Sequence, residues 1–422
     1  MNTKTFYALA AAAVVALGAA VWINSANAPV SEESAKDKPL APGLRDELNQ
    51  VDALSLSGAA GKTYVSLKRN GDGWQVGEKS NYPADVAKLR EYLYKLADAK
   101  VLDAKTANPK RYAELGVEDT GAADAKSILV TLGGLKQPFK LIVGLYNGQG
   151  GGGTFVRRDG EAQSLLASGN LLVEKDAAAW IRHDVIDVDS AKIKEVRLTG
   201  LDGKTLSIYK DQASDDNFKV ADVPKGRELV SDFVANGLGS GLSNLRADDV
   251  AAAKDAAASE QSYKARYLGF DGLVVDVIAW EKEGKSRAQF AVSTDAAQLD
   301  AAVSSAQAKD KAAYDTAVAA AKLKVVEAKG DDAAIAKAES EVAKPASFAD
   351  PAKDRSERIA AANKAAEELN KRLQGWTYTV PQYAYSNFHK NLDELLKPLE
   401  TKSAAGTKGG KPAPPLLPAK QP

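Results

Sequence analysis

The chain has 422 residues, 45% of them hydrophobic, and its 56 Lys and Arg balance 56 Asp and Glu to a formal net charge of zero. That length allows two or three domains with sizeable cores, and the charge balance argues against a nucleic-acid binder, whose affinity rests on a basic surface. Cysteine is absent and His183 and His389 are the only histidines. Disulfides, a thiolate zinc site, a thiol nucleophile and a lipoprotein anchor are thereby excluded and a histidine metal site is disfavoured, while oxygen ligands for a hard cation stay open.

Residues 1–28 read as a membrane anchor or signal segment rather than as part of the fold. Lys4 is the positive flank, and Phe6 to Ile23 carries no charge. As a helix this stretch spans about 27 Å, between a signal peptide and a full membrane span. Ala26-Asn27-Ala28 resembles a signal-peptidase site, but Pro29 directly after it disfavours cleavage. The expectation is an uncleaved inner-membrane anchor at residues 6–23, single-pass, with Lys4 inside and the body in the periplasm. A soluble periplasmic chain after cleavage is the alternative. Residues 29–48, with Pro29, Pro39 and Pro42 among polar residues, read as a linker.

The body repeats one pattern. Leu56-Ser57-Gly58-Ala59-Ala60-Gly61-Lys62-Thr63 and Leu198-Thr199-Gly200-Leu201-Asp202-Gly203-Lys204-Thr205 share Leu, Gly, Gly, Lys and Thr at the same offsets. Each copy runs into an alternating strand, which predicts a hairpin at the head of two homologous units, 49–190 and 191–400. In the first, strands are predicted at 53–57, 63–69 and 74–76. A helix opened by Pro83 follows, with Val86, Leu89, Leu93 and Leu96 on its apolar face. A short helix over 109–115 and strands at 128–132, 139–143, 154–157 and 164–166 complete the unit. In the second, strands are expected at 196–198, 205–209 and 218–220, then a matching helix lined by Leu229, Phe233, Leu238 and Leu242. Strands at 263–268, 274–280 and 287–292 follow.

Residues 295–374 are rich in Ala, Lys, Glu and Asp and read as a helical insertion. Leu299, Val303, Ala306, Val318, Ala321 and Val325 draw a thin seam at three-to-four spacing, which suits an antiparallel, coiled-coil-like hairpin turning at Gly330-Asp331-Asp332. A solvated, frayed insertion is the alternative. Strand character returns at Trp376 to Pro381, a short helix is expected over 386–396, and the Pro/Lys-rich stretch 401–422 is expected to be disordered.

Motifs that suggest chemistry fail on context. Gly61-Lys62-Thr63 lacks the upstream glycine of a phosphate loop, which is Leu56 here, and precedes a strand rather than a helix. Gly148 to Gly153 has dinucleotide-loop letters, but Thr154 to Arg157 behind it is strand. It reads as a hairpin loop able to touch a partner. His183 beside Asp184 has no nucleophile in a matching pattern and reads, like His389, as a hydrogen-bonding residue. Carboxylates are numerous, but sequence does not pair them across a cleft. Trp74, Trp180, Trp376, Tyr378 and Tyr383 are either core or platforms for a sugar or partner. Gly150, Gly151, Gly152, Arg157 and Trp180 stand as the candidate partner or ligand contacts. No catalytic, cofactor-binding or metal residue is assigned, and no cofactor is expected.

Trp74-Gln75-Val76, Tyr82-Pro83-Ala84-Asp85, Leu115 to Asp119, Gly152 to Arg158, Gly375 to Tyr378 and Leu392 to Pro398 together resemble the domain of unknown function 4340 family of bacterial envelope proteins. The likeness runs over most of residues 50–400 and the insertion is longer than the family pattern. It implies a single-anchor protein encoded beside a gliding-type ABC transporter, and carries over no catalytic residue. The expected fold is α+β: two homologous domains, each a mostly antiparallel sheet with a helix on one face, plus the Ala-rich helical hairpin. The expected function is a non-enzymatic, membrane-anchored periplasmic accessory or scaffold of an ABC-transporter-associated complex. A periplasmic binding module for an envelope glycan or small solute, using a groove between the repeats and the loop 147–153, is the alternative. Partner identity and oligomeric state do not follow from the residues.

Overall fold

The structure, a computed structural model, describes residues 36–149 and 152–398. The anchor segment 6–23, Gly150, Gly151 and the tail 401–422 lie outside the described residues.

The first unit begins with α1 (Leu44–Glu47). Then come β1 (Ala53–Ser57), β2 (Thr63–Asn70), β3 (Gly73–Val76) and β4 (Tyr82–Pro83), then helix α2 (Val86–Asp98) and β5 (Val101–Ala104). After α3 (Tyr112–Leu115) follow β6 (Ile128–Gly133), β7 (Phe139–Asn147), β8 (Gly153–Arg158) and β9 (Ser164–Ser168). The second unit is reached through β10 (Asp184–Ile186). It holds β11 (Ile193–Thr199), β12 (Thr205–Tyr209), β13 (Lys219–Val220), α4 (Asn236–Gly239), β14 (Leu245–Arg246) and β15 (Asp249–Ala252). Strands β16 (Tyr263–Gly269), β17 (Leu273–Lys282) and β18 (Lys285–Thr294) lead into α5 (Ala296–Glu327), α6 (Asp332–Glu341), α7 (Ala346–Ala349) and α8 (Pro351–Leu373). The chain returns through β19 (Trp376–Thr379) and α9 (Gln382–His389).

The duplication read from the hairpins extends through both sheets. The first has nine strands in the order β4-β3-β2-β1-β6-β7-β8-β9-β5, and the second eight in the order β13-β12-β11-β16-β17-β18-β19-β15. From β3 and β13 onward the two orders correspond strand for strand, and the pairings are antiparallel. The same bond closes both leading hairpins: the Gly58 amide donates to the Lys62 carbonyl and the Gly200 amide to the Lys204 carbonyl, each at 2.9 Å. The Gly-Lys-Thr letters are therefore turn and strand start. In β1 and β2 Leu54, Leu56, Val65 and Leu67 alternate inward with polar neighbours outward, the period-two pattern of a half-buried sheet.

The α+β class and the two sheets agree with the sequence reading, and several details differ. Pro83 does not open a helix. It pairs with Gln75 in β4, and Asp85 caps α2 by accepting the Lys88 amide at 3.0 Å, because an aspartate can satisfy an otherwise unpaired first-turn donor. Residues 37–48 are not a free linker. Asp37 and Leu40 donate to Val101 and Ala99 along the edge of β5, and Leu40, Ala41 and Leu44 are buried. The short C-terminal helix starts at Gln382 and ends at His389, with a separate capped turn at Leu392–Leu395.

The largest departure is over 229–242. Only the single turn α4 forms there, and Phe233 is 65% exposed. Three glycines, Gly237, Gly239 and Gly241, interleave the segment, and each costs a helix about 1 kcal/mol against alanine. Two of them are where backbone meets core. A Cβ at Gly239 would lie 2.1 Å from the Phe218 ring, and one at Gly241 2.3 Å from the Tyr267 hydroxyl. The side-chain cover comes instead from α9, whose buried Phe388 meets Tyr267 and Phe290 edge to face at 6.4 Å.

The insertion is a helical arm between β18 and β19. The corresponding strands of the first unit, β8 and β9, are joined by the short turn Asp159 to Gln163. Among the predicted seam residues Leu299 and Val303 are buried and Ala306, Val318, Ala321 and Val325 half-buried, so the hairpin reading holds.

Candidate functional site

Two features are candidates for function: the arm, and the seam where the two units meet.

The arm's long helix α5 has 32 residues, a length of about 48 Å. Its apolar seam is thin, and polar pairs carry much of the contact between outgoing and returning helices. Arg358 reaches Asp310 across the two helices at 2.6 Å and Asp354 on its own helix at 2.9 Å, Arg355 pairs with Asp300, and Lys322 meets Glu339 at 2.7 Å. The Gln307 amide donates to buried Asp354 at 2.8 Å. Gln307, then Arg358, hold the Asp354 carboxyl below its ordinary range against the opposing effect of burial. The Tyr314 and Phe348 rings meet at a tilt of 53°, their centroids 4.7 Å apart. At its base the arm is tied to β18, where Asn370 accepts the Val292 amide at 2.9 Å. At the far end Leu323 and Val326, three positions apart on one face, are 58% and 56% exposed.

The seam joins the units through backbone and rings. Ala84 bridges Ile181, and the Asp85 amide donates to Trp180 and the Arg182 amide to Pro83, both at 2.8 Å. β10 pairs with β14. His183 sits here, its Nδ1 donating to the Ala247 carbonyl at 2.7 Å, so it is a hydrogen-bonding residue, as its sequence context suggests. Lys79 pairs with Asp249 at 2.6 Å. Tyr82 packs edge to face on Trp376 at 4.9 Å and on Tyr378 at 6.2 Å. Trp74, Trp180 and Tyr378 are buried, Trp376 is half-buried and Tyr383 is 67% exposed.

The sequence-derived contact residues do not converge. Trp180 is 1% exposed, donates to the Glu174 carbonyl at 3.0 Å and lies under the Lys88 ammonium. Arg157 is likewise buried and fully engaged. It donates to the Val117 and Glu161 carbonyls at 2.9 and 3.0 Å, pairs with Asp119 and stacks on Tyr112 with Cζ 4.5 Å from the ring centre. These contacts pin the Tyr112 to Asp119 stretch to the outer face of the first sheet. Alternating period alone did not distinguish this buried arginine from an exposed one. Gly152 is in the described part of its loop, at φ +79°, where a Cβ would lie 2.4 Å from the Tyr146 hydroxyl. Gly150 and Gly151 lie outside the described residues.

A groove of about 770 Å³ opens on the first unit between Leu40 to Leu44, the β6–β7 turn and the β8–β9 turn. Sequence reasoning missed it, because Lys136, Lys140 and Arg158 around it look like ordinary solvated charges. They are paired with Glu47, Asp159 and Glu161 at 3.8, 3.8 and 3.4 Å. Among the described residues no three His, Cys, Asp or Glu side chains gather to hold a metal, and no helix is long and apolar enough to cross a membrane.

Residues 74–264 match the family model described as a domain of unknown function, DUF4340. The match runs from β3 into β16, so it straddles the seam and contains the Arg157 node. The Trp74, Tyr82, Leu115 and Gly152 motifs fall inside it, and those at Gly375 and Leu392 fall outside. No curated protein and no solved structure matches the chain.

Proposed function

We propose that this chain is a non-enzymatic, membrane-anchored accessory protein of an envelope complex, and that the helical arm is the element that engages its partner. The observation that carries the reading is the arm itself. One of two otherwise parallel units replaces a short turn with a helix about 48 Å long, bearing exposed Leu323 and Val326 at its end. The insertion leaves the order of the sheet strands unchanged, so it adds reach without altering the body. The uncharged stretch Phe6 to Ile23 is the proposed inner-membrane anchor, with the body in the periplasm and an ABC-transporter-type membrane protein as partner.

The test exchanges residues 295–375 for Asp-Gly-Glu-Ala-Gln, the turn that the first unit uses between β8 and β9. Crosslinking in membranes is expected to recover the transporter subunit with the intact chain and to lose it with the armless chain, while both fractionate with the inner membrane. Equal crosslinking by the two chains would overturn the role of the arm, and a soluble full-length chain would overturn the anchor.

The second reading, a binding module for an envelope glycan or small solute, is favoured by one observation. The groove beside Leu40 to Leu44 combines the half-buried Phe139 with six charged side chains. Solute binding abolished by Phe139→Ala, with the arm dispensable, would support that reading over the first.

A further inference from the structure

A small cavity of about 130 Å³ lies where the β2–β3 hairpin, helix α2 and the turn Leu48–Gln50 meet. The local sequence builds its walls. Arg69 faces Trp74 across the hairpin, and this cross-strand pairing puts the guanidinium over the indole, with Cζ 5.4 Å from the ring centre. Gly71, at φ +58°, makes the tight turn that returns Asp72 to the same cavity. On α2, Val86, Arg90 and Tyr94 follow one another at intervals of four, with Leu89 and Leu93 on the same face. Leu48 and Asn49 close the remaining side.

The lining holds donors that the protein does not use. Arg69 Nη2 donates to the Asn49 and Val51 carbonyls at 3.3 and 2.8 Å. These bonds fix the guanidinium and leave its Nε and Nη1 without an acceptor among the described residues. Among the same residues the Arg90 side chain has neither hydrogen bond nor ion pair. The acids of α2 and its cap are engaged elsewhere: Asp85 caps the helix, Glu91 pairs with Lys95 at 2.6 Å, and Asp98 pairs with Arg45. Asp72 is the one carboxylate of the lining, so two guanidiniums and one carboxylate leave a net charge of +1 (2 − 1). Arg69 and Arg90 both keep exposed area and remain charged and hydrated. What the cavity adds is their convergence beside an apolar wall.

We propose that this cavity binds one small organic monocarboxylate, its carboxylate between Arg69 and Arg90 and its apolar body against Leu48, Val86 and Leu93. The volume is close to that which holds a single benzene-sized ring. An apolar wall with a few converging polar groups is the ordinary pattern of a small-molecule site, and the guanidinium fork matches a carboxylate. The single net positive charge favours a monoanion, and Asp72 repels a phosphate dianion. The site shares no lining residue with the larger groove beside Leu40 to Leu44. The inference is independent of the arm and of membrane attachment.

The experiment is isothermal titration calorimetry of the full chain at one ionic strength, with benzoate, pentanoate, benzyl alcohol and inorganic phosphate as probes. At least one of the two carboxylates is expected to bind with a Kd on the order of 1 mM or tighter. Benzyl alcohol, which keeps the ring without the charge, and phosphate are expected to bind about tenfold more weakly or less. Arg90→Gln breaks no protein hydrogen bond or ion pair and is expected to weaken carboxylate binding about tenfold. Asp72→Asn is expected to tighten it. Arg111→Gln removes the same charge away from the cavity and is expected to leave binding unchanged. No binding of either carboxylate, undiminished binding in Arg90→Gln, or an equal loss in Arg111→Gln would overturn the site. Unchanged or weaker binding in Asp72→Asn, or benzyl alcohol binding as well as benzoate, would overturn the role of charge. Phosphate binding more tightly than either carboxylate would overturn the ligand class.

Discussion

The two units build nearly the same sheet and cover it in opposite ways. In the first, α2 lays Leu89, Tyr92, Leu93 and Leu96 into the core, so the contact is made by large side chains. In the second, the segment after β13 brings bare backbone at Gly239 and Gly241 onto Phe218 and Tyr267, and α9 arrives from the far end of the sequence to supply the aromatic cover. A sheet requires its apolar face to be covered and is indifferent to which segment does it. The second comparison, a short turn against a long arm between corresponding strands, shows that an insertion at a hairpin tip leaves the strand order intact, since a loop's closure cost grows slowly with its length.

The comparison can be broken from either side, and the largest effect is expected from the first. Leu96→Ala empties a fully buried position and should cost about 2–5 kcal/mol in chemical denaturation. In the second unit the sign of the size change reverses. Gly239→Ala overpacks the Phe218 contact and should cost about 1–3 kcal/mol. Gly237→Ala, whose nearest neighbour is Asn387 Oδ1 at 3.9 Å, should be neutral or stabilising by up to about 1 kcal/mol. Equal losses at Gly237 and Gly239 would refute the close-approach argument.

The arm sharpens the second comparison through pH. Asp354 has a folded-state pKa below its ordinary value of 3.8. Its contribution is therefore fully present above that value and is lost as pH falls through the lower folded one. The protection factors of amides in α5 and α8, taken relative to the unstructured rate at each pH, should fall as pH is taken below about 4, while the sheets, which lack this pair, keep theirs. Asp354→Asn should remove that difference. The smallest effect belongs to the seam pair: Lys79→Ala removes a partly exposed ion pair and should cost about 1 kcal/mol or less.

Much of the fold was legible because its signals are local. Alternation in Thr63 to Arg69, the turn residues Asn70 to Gly73, and the three-to-four spacing of Leu299, Val303 and Ala306 all report on neighbours within a turn or a strand. The helix over 229–242 was misread because Leu229, Phe233, Leu238 and Leu242 keep helical spacing while the glycines among them defeat it. Arg157 and Trp180 stood in the sequence as possible contacts, Trp180 with a core role as the other reading, because burial is settled by partners distant in sequence. For Arg157 these include Val117 and Asp119, 40 and 38 residues away.

By itself the sequence determined the duplicated α+β plan, the leading hairpins, the place of the helical arm and an uncharged N-terminal stretch. Each follows from periodicity and turn chemistry within a short window. Only the tertiary structure decided that α9 covers the second sheet, that residues 37–48 dock on β5, that Arg372 reaches Val185, and that Tyr82, Trp376 and Tyr378 meet at one seam. The bond from Arg372 to Val185 spans 187 positions, and no local pattern encodes which distant residue will share a buried neighbourhood. That choice is made when two sheets and an inserted arm compete to bury the same apolar surface.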